Sequence, residues 1–295
     1  MSSVNGKVAV VTGASRGAGR AIAAVLGEAG ATVYVTGRTV RGGAAVDDLP
    51  GTIEDTAEEV TSRGGRGVAV RCDHTVDADM ETLFERVRDE KGRLDLLVNN
   101  VWGGYEGQMF GIPMTPFWEQ PREQWESMFV AGLRAQLVTS QLAAPLMIGN
   151  DAATRQPHTG PLPKGDEVTR GLIVSTVAWA YDEYLRNIFY DVSKAAIIRM
   201  IRGMAHDLRP HRVAAVALAP GFMRTERIIA AHAAHPFDLS VTESPEYLGR
   251  AVWALAEDSN LMEKSGGVYT VGDLAREYGF TDVDGRQPAA CRFPG

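Results

Sequence analysis

Cysteine is nearly absent from this 295-residue chain, which holds only Cys72 and Cys291. Two cysteines make neither a disulfide framework nor a CxxC metal or redox pair, and they suit a reducing, cytoplasmic setting. Positive charge is not in excess either. The net charge of -7 argues against a nucleic-acid partner, which would call for a basic stripe to neutralise phosphates. No apolar run approaches the roughly 18 residues of a membrane span, and residues 1–7 lack the apolar core of a secretory leader. Lysine is scarce: of 30 basic residues only Lys7, Lys91, Lys164, Lys194 and Lys264 are lysine, so a lysine at a meaningful spacing carries weight. What remains, 45% hydrophobic and 23% charged, is ordinary globular composition and excludes a disordered or fibrous chain.

Short Val- and Ala-rich runs alternate with longer segments of helical period. Strands are predicted over residues 7–12, 31–36, 68–72, 94–99, 171–176, 213–219 and 267–271. Helices are predicted over 18–29, 52–62, 78–89, 122–147, 189–208 and 245–256. Unbroken apolar strands imply a sheet buried on both faces, and the alternation implies right-handed βαβ units. The expectation is a single α/β domain: one Rossmann-type, doubly wound parallel sheet of about seven strands, with helices on both faces. Three segments exceed that unit: insertions at 101–121 and 149–170 and an extension at 273–295. The second is long for a structureless connection and reads as a surface excursion.

After the first strand comes Thr12-Gly13-Ala14-Ser15-Arg16-Gly17-Ala18-Gly19. Glycines here permit a tight turn and a close backbone approach to a pyrophosphate, while the next helix offers free N–H groups and its positive end. Alone, such a turn is a common strand–helix loop; its place between the first strand and first helix points to dinucleotide binding. An acid usually ends the second strand and holds the ribose of NAD. Here Gly37 and Arg38 stand there, and Arg16 sits in the turn. Two guanidiniums and no carboxylate suit a 2′-phosphate, so NADP(H) is expected over NAD(H). The competing possibility is that both arginines are merely solvated.

With these motifs the chain resembles the short-chain dehydrogenase/reductase family. The family's Thr-Gly-xxx-Gly-x-Gly turn matches Thr12 to Gly19, its adenine-contacting acid Asp73, and its Asn-Asn pair Asn99-Asn100. Its Tyr-xxx-Lys pair matches Tyr190 and Lys194, and its Pro-Gly with a following Thr matches Pro220, Gly221 and Thr225. The resemblance spans about residues 5–272. It implies that Gly13, Ser15, Arg16, Gly17, Ala18, Gly19, Arg38, Asp73, Asn99, Tyr190, Lys194, Pro220, Gly221 and Thr225 bind cofactor. His74, beside Asp73, is placed near the adenine. Stretches 92–95, 117–119, 132–134 and 274–286 resemble one subgroup of the family.

Tyr190 and Lys194 lie four apart, on one helix face. A free Tyr titrates near pH 10, too high for acid–base work at neutrality; a neighbouring ammonium is expected to lower that value. Tyr190 then serves as acid and base, and Lys194 also binds the nicotinamide ribose, as the resemblance implies. Two family positions depart. Thirteen residues before the Tyr, where the family has an oxygen-polarising Ser, stands Val177. A bulge brings Ser175 or Thr176 there, or neither reaches; Ser175 is preferred because it shares the parity of Val177 along the strand. The family's Asn in the long helix is Gly132, which supplies no amide. These gaps put activity in question.

The strand ends should build the substrate pocket, with Trp102, Trp179 and Phe222 foremost and Tyr105, Met109, Phe110 and Met223 as further candidates. Such residues are as often core as pocket; as pocket they favour a bulky apolar carbonyl compound. His232 and His235 are three apart without a third ligand, so no metal site is expected. The leading expectation is an NADP(H)-dependent oxidoreductase interconverting a carbonyl compound and a secondary alcohol. A dinucleotide-binding sensor or scaffold with weakened catalysis, or a lyase or isomerase on the same fold, are the alternatives. The resemblance implies a homodimer or homotetramer through the long fourth and fifth helices, where Leu137, Val138, Ile197, Ile198 and Ile201 read as a second apolar face.

Overall fold

The computed structural model describes residues 6–43, 49–107, 114–149, 169–179 and 184–291. Met109, Phe110 and nearly all of the 149–170 insertion lie outside the described residues. The strands are β1 (Val8–Val11), β2 (Thr32–Gly37), β3 (Arg66–Arg71), β4 (Leu96–Asn99), β5 (Gly171–Thr176), β6 (Val213–Ala219) and β7 (Val268–Thr270). The helices are α1 (Gly17–Glu28), α2 (Ile53–Ser62), α3 (Asp77–Lys91), α4 (Ala135–Ile148), α5 (Ile188–Leu208), α6 (Glu226–Ala234), α7 (Pro245–Glu257), α8 (Leu261–Lys264) and α9 (Val271–Tyr278).

All seven strands are parallel and run in the order β3-β2-β1-β4-β5-β6-β7. Chain direction across the sheet reverses between β1 and β4, so the carboxyl ends of these two strands open a crevice, the place where such sheets bind ligands. The apolar runs are buried because both faces are covered. Ile22 and Leu26 of α1, Val60 of α2, Leu248 and Val252 of α7 and Leu274 of α9 form one core with Val33, Val98 and Val216. Leu83 and Phe84 of α3, Ala143 and Met147 of α4 and Ile197 and Ile201 of α5 form the other, with Val10, Leu97 and Ala215.

Local chemistry sets several boundaries. Thr52 caps α2: its hydroxyl accepts from the Asp55 N–H, and the Asp55 carboxylate accepts from the Thr52 N–H, both at 3.1 Å. This reciprocal box satisfies two of the helix's free N-terminal donors. The predicted long helix is not uniform, because Glu126–Arg134 is π-helical before α4 begins. The helix α9 and the α6 turn were not foreseen. Beyond α9 the tail crosses back over the molecule, held by buried Asp282, whose carboxylate accepts from the Ser244 N–H at 2.8 Å. The expected second apolar face is mostly absent: Ile197, Ile198 and Ile201 are core residues, Val138 is half-buried, and Leu137 is 39% exposed. No helix among the described residues is long and apolar enough to cross a membrane.

Candidate active site

The turn from β1 to α1 is locked from the β4 side. Asn100 Nδ2 donates to the carbonyls of Thr12 and Gly13, each at 3.1 Å, and Thr12 Oγ1 accepts from the N–H groups of Asn100 and Val101 at 2.9 and 3.0 Å. Gly13 has φ +63°, and a Cβ there would sit 2.9 Å from Val101 Cα. At Gly19 a Cβ would lie 2.3 Å from the Gly13 carbonyl oxygen. No side chain caps α1 at Arg16. Instead the Gly17 N–H donates to Glu226 Oε2 at 2.8 Å. A carboxylate on that N–H marks the positive end of α1 as an anion site. The donor set therefore fits the diphosphate of a dinucleotide.

One cavity of about 1070 Å³ runs from this turn to α5. Gly13, Ser15, Arg16, Gly17, Ala18, Arg38, Asp73, His74, Tyr190, Lys194, Pro220, Gly221 and Thr225 line it, as do Trp102, Trp179 and Phe222. Gly19 does not, and its part is the close packing just described. Asn99 does not either. Its Nδ2 donates to Ser140 Oγ at 2.8 Å and its Oδ1 accepts from Thr139 Oγ1 at 2.6 Å, so it ties β4 to α4 while Asn100 faces the cavity. The sequence expectation for Asn99 is corrected accordingly, because strand alternation sends neighbouring side chains to opposite sides.

At the β2 end Arg38 is ion-paired with Glu106. Arg16 donates to the carbonyls of Pro50 and Gly51 at 3.1 and 3.3 Å and to Thr39 Oγ1 at 3.3 Å. Neither arginine is merely solvated. Burial works against the Asp73 carboxylate, but hydrogen bonds from Thr75 outweigh it and hold Asp73 below its ordinary range. His74 lies inside the wall, with Nε2 2.8 Å from Thr36 Oγ1, and burial pushes it down to about 4, so it is neutral.

Tyr190 and Lys194 project from the first turns of α5. Asn187 caps that helix, accepting from the Tyr190 N–H at 3.0 Å, and donates to Gln124 Oε1 at 3.0 Å. Gln120 Oε1 accepts from the Ile188 N–H at 2.9 Å. The segment before the π-helix thus fixes where Tyr190 starts. Tyr105 Oη donates to Tyr190 Oη at 3.4 Å. Trp102 stands edge-on to Tyr190, ring centroids 5.5 Å apart. Lys194 Nζ is 3.5 Å from the Trp102 ring centroid and 5.5 Å from that of Tyr190.

The expected lowering of the Tyr190 pKa is not found. Burial pushes Tyr190 well above its ordinary value, and burial brings Lys194 down to about 7. Spacing placed the pair on one face, and the amine lies over the Trp102 indole, nearer to it than to the Tyr190 ring.

Ser175 is also corrected. It is fully buried, its Oγ has no hydrogen-bond partner among the described residues, and it does not line the cavity. It shares the side of Ile173, packed towards α4 and α5. Thr176 and Val177 line the cavity, and Thr176 Oγ1 donates to the Asn99 carbonyl at 3.4 Å. Sequence reasoning missed Glu226, although a Thr followed by Glu is a helix-start signal. It also missed Glu243, whose carboxylate accepts from the Gly221 N–H at 2.8 Å and is pushed up to about 7 by burial. Cys291, brought to the cavity wall by the tail, had no local signal at all.

Known proteins match this architecture. The profile of the short chain dehydrogenase family matches residues 7–234. Dehydrogenase/reductase SDR family member 1 of Mus musculus is 39% identical, covering 96% of this chain and 85% of the relative; its Homo sapiens counterpart is 38% identical over the same shares. A short chain dehydrogenase structure from Mycobacterium thermoresistibile superposes with a TM-score of 0.79 at 21% identity, covering 99% of this chain and 96% of that one. The chain is therefore an oxidoreductase of the short-chain dehydrogenase/reductase family.

Proposed function

We propose that the protein interconverts a bulky apolar carbonyl compound and its secondary alcohol with NADP(H) as cofactor. The observation that carries this reading is the shared cavity. The anion-holding turn at Gly17 stands at one end and the buried Tyr190–Lys194 pair at the other. A bound nicotinamide would supply or accept hydride. The chain's own groups do the rest. The Gly17 N–H and the positive end of α1, now turned to Glu226, would hold the diphosphate. Asp73 would meet the adenine, and Arg38, now paired with Glu106, would hold a 2′-phosphate. Pro220, Gly221 and Thr225 would border the nicotinamide.

Tyr190 is neutral at working pH because burial raises its pKa, so it holds the proton that a developing alkoxide needs. Thr176 is the second hydroxyl available to that oxygen. Lys194 lies near enough to favour the phenolate that remains and to reach a ribose. Trp179 and Phe222, with Tyr184 and Phe237, supply apolar wall. Self-association as a homodimer or homotetramer would use the exposed Leu137 side of α4.

Cofactor choice is tested by titrating wild type and Arg38→Ala with NADPH and NADH. Wild type should bind NADPH about ten- to a hundredfold tighter, the worth of a charge-assisted contact, and Arg38→Ala should erase the difference. Tighter binding of NADH by wild type would reject the preference.

A further inference from the structure

The indole of Trp102 lies in a slot that two glycines open. A Cβ at Gly132, in the π-helical segment, would lie 2.7 Å from Trp102 Cζ3, and one at Gly104 would lie 2.7 Å from Cζ2. Any side chain at position 132 and this indole therefore exclude each other. The slot has no polar partner for the ring: Trp102 Nε1 is buried without a hydrogen bond among the described residues. A buried unpaired donor is disfavoured, so something else must hold the indole in place. Its face carries Lys194 Nζ at 3.5 Å, a cation–π contact, and its edge meets the Tyr190 ring.

Lys194 itself makes no hydrogen bond or ion pair to a described residue, although 93% of its surface is covered. Among the described residues no carboxylate acts on it. The titratable groups nearby are Tyr190 on its own helix, Tyr105 on the loop after β4, and Cys291 of the tail, which faces Tyr190. Burial alone lowers the Lys194 pKa. Among the described residues, two ring faces favour its charge: the Trp102 indole at 3.5 Å and, farther off, the Tyr190 ring at 5.5 Å.

We propose that Trp102 is the positioning residue of Lys194, taking the place of the helix amide that this chain lacks, and that Gly132 is the clearance that admits it. An amide would bind the amine through one fixed hydrogen bond. The indole face holds it by its charge and leaves the N–H groups that turn away from the ring for a ribose hydroxyl or for Tyr190. The loss at position 132 and the gain at position 102 are then one change, made by residues from two elements meeting over the same amine.

This inference rests on the oxidoreductase reading, so its test includes a readout that needs no turnover. The Lys194 amine is titrated by NMR in protein carrying 15N-lysine, where only five lysines contribute and Lys194→Arg assigns the signal. Trp102→Leu should move the Lys194 titration and lower kcat about tenfold or more, the scale of a desolvated cation–π contact, with KM for NADPH nearly unchanged. Trp102→Phe, which keeps a ring face, should retain most of the activity and the wild-type titration. Gly132→Asn should lower kcat by displacing the indole. The double variant Trp102→Ala/Gly132→Asn should regain part of what each single change loses. An unmoved Lys194 titration in Trp102→Leu would overturn the proposal even if no substrate is ever turned over. Equal losses in Trp102→Leu and Trp102→Phe would overturn it, and so would a double variant worse than both single ones.

Discussion

The two ends of the cavity are built on different terms. At the diphosphate end, adjacent residues do the work: the turn from Thr12 to Gly19 sets its own geometry, and glycines stand where a Cβ would strike backbone. At the α5 end, the parts come from far apart in the chain. Trp102 from the loop after β4, Gly132 from the π-helix, Thr176 from β5, Lys194 from α5 and Cys291 from the tail meet around one pair of side chains. The first end keeps the family's glycine turn. The second keeps Tyr190 and Lys194 but departs at Val177 and Gly132, and on the proposal above Trp102 offsets the second of these. A local motif tolerates no substitution because backbone cannot move aside, whereas a site assembled from several elements can exchange one group for another.

The sharpest way to break that contrast is at β5. Thr176→Ala should lower kcat about a hundredfold, as loss of one hydrogen-bond donor to a developing oxyanion does. Ser175→Ala should change kcat little, since that hydroxyl is buried away from the cavity without a partner. Steady-state kinetics with one carbonyl substrate decides between them, and the reverse ranking would restore the strand-parity reading. A smaller effect tests the diphosphate end. Glu226→Ala frees the Gly17 N–H and should tighten NADPH binding about two- to tenfold, the scale of one charge at a helix terminus. Unchanged or weaker affinity, measured by calorimetry, would mean that the carboxylate does not compete with the cofactor.

Much of the fold was legible in the sequence because its signals are local. The apolar runs of β1, β5 and β6 can only be doubly buried strands, and Thr52, Gly64 and Gly65 mark where α2 starts and stops. Elements with mixed patterns were missed. α9 follows β7 with no intervening turn signal, and the π-helical stretch has no distinct composition. In the site, the glycine turn and the Tyr190–Lys194 spacing were visible for the same reason. What was not visible depends on contacts between distant residues. Ser175 shares the parity of Val177, but the strand ends at Thr176, and past that point alternation no longer decides which residue faces the cavity. Asn99 was the member of its pair expected at the cofactor, but α4 holds its side chain through Thr139 and Ser140. The electrostatics of Tyr190 and Lys194 were inferred from proximity, whereas burial governs both.

If Tyr190 passes a proton to an oxygen while the cofactor's hydride reduces the carbon, NADPH consumed and alcohol formed, measured in wild type and in Tyr190→Phe, will show it. Wild type should form one alcohol per NADPH. In Tyr190→Phe kcat should fall by about 10²–10⁴, the scale of general acid catalysis, with NADPH affinity little changed. Full turnover in Tyr190→Phe, or product formed without net NADPH oxidation, would contradict it.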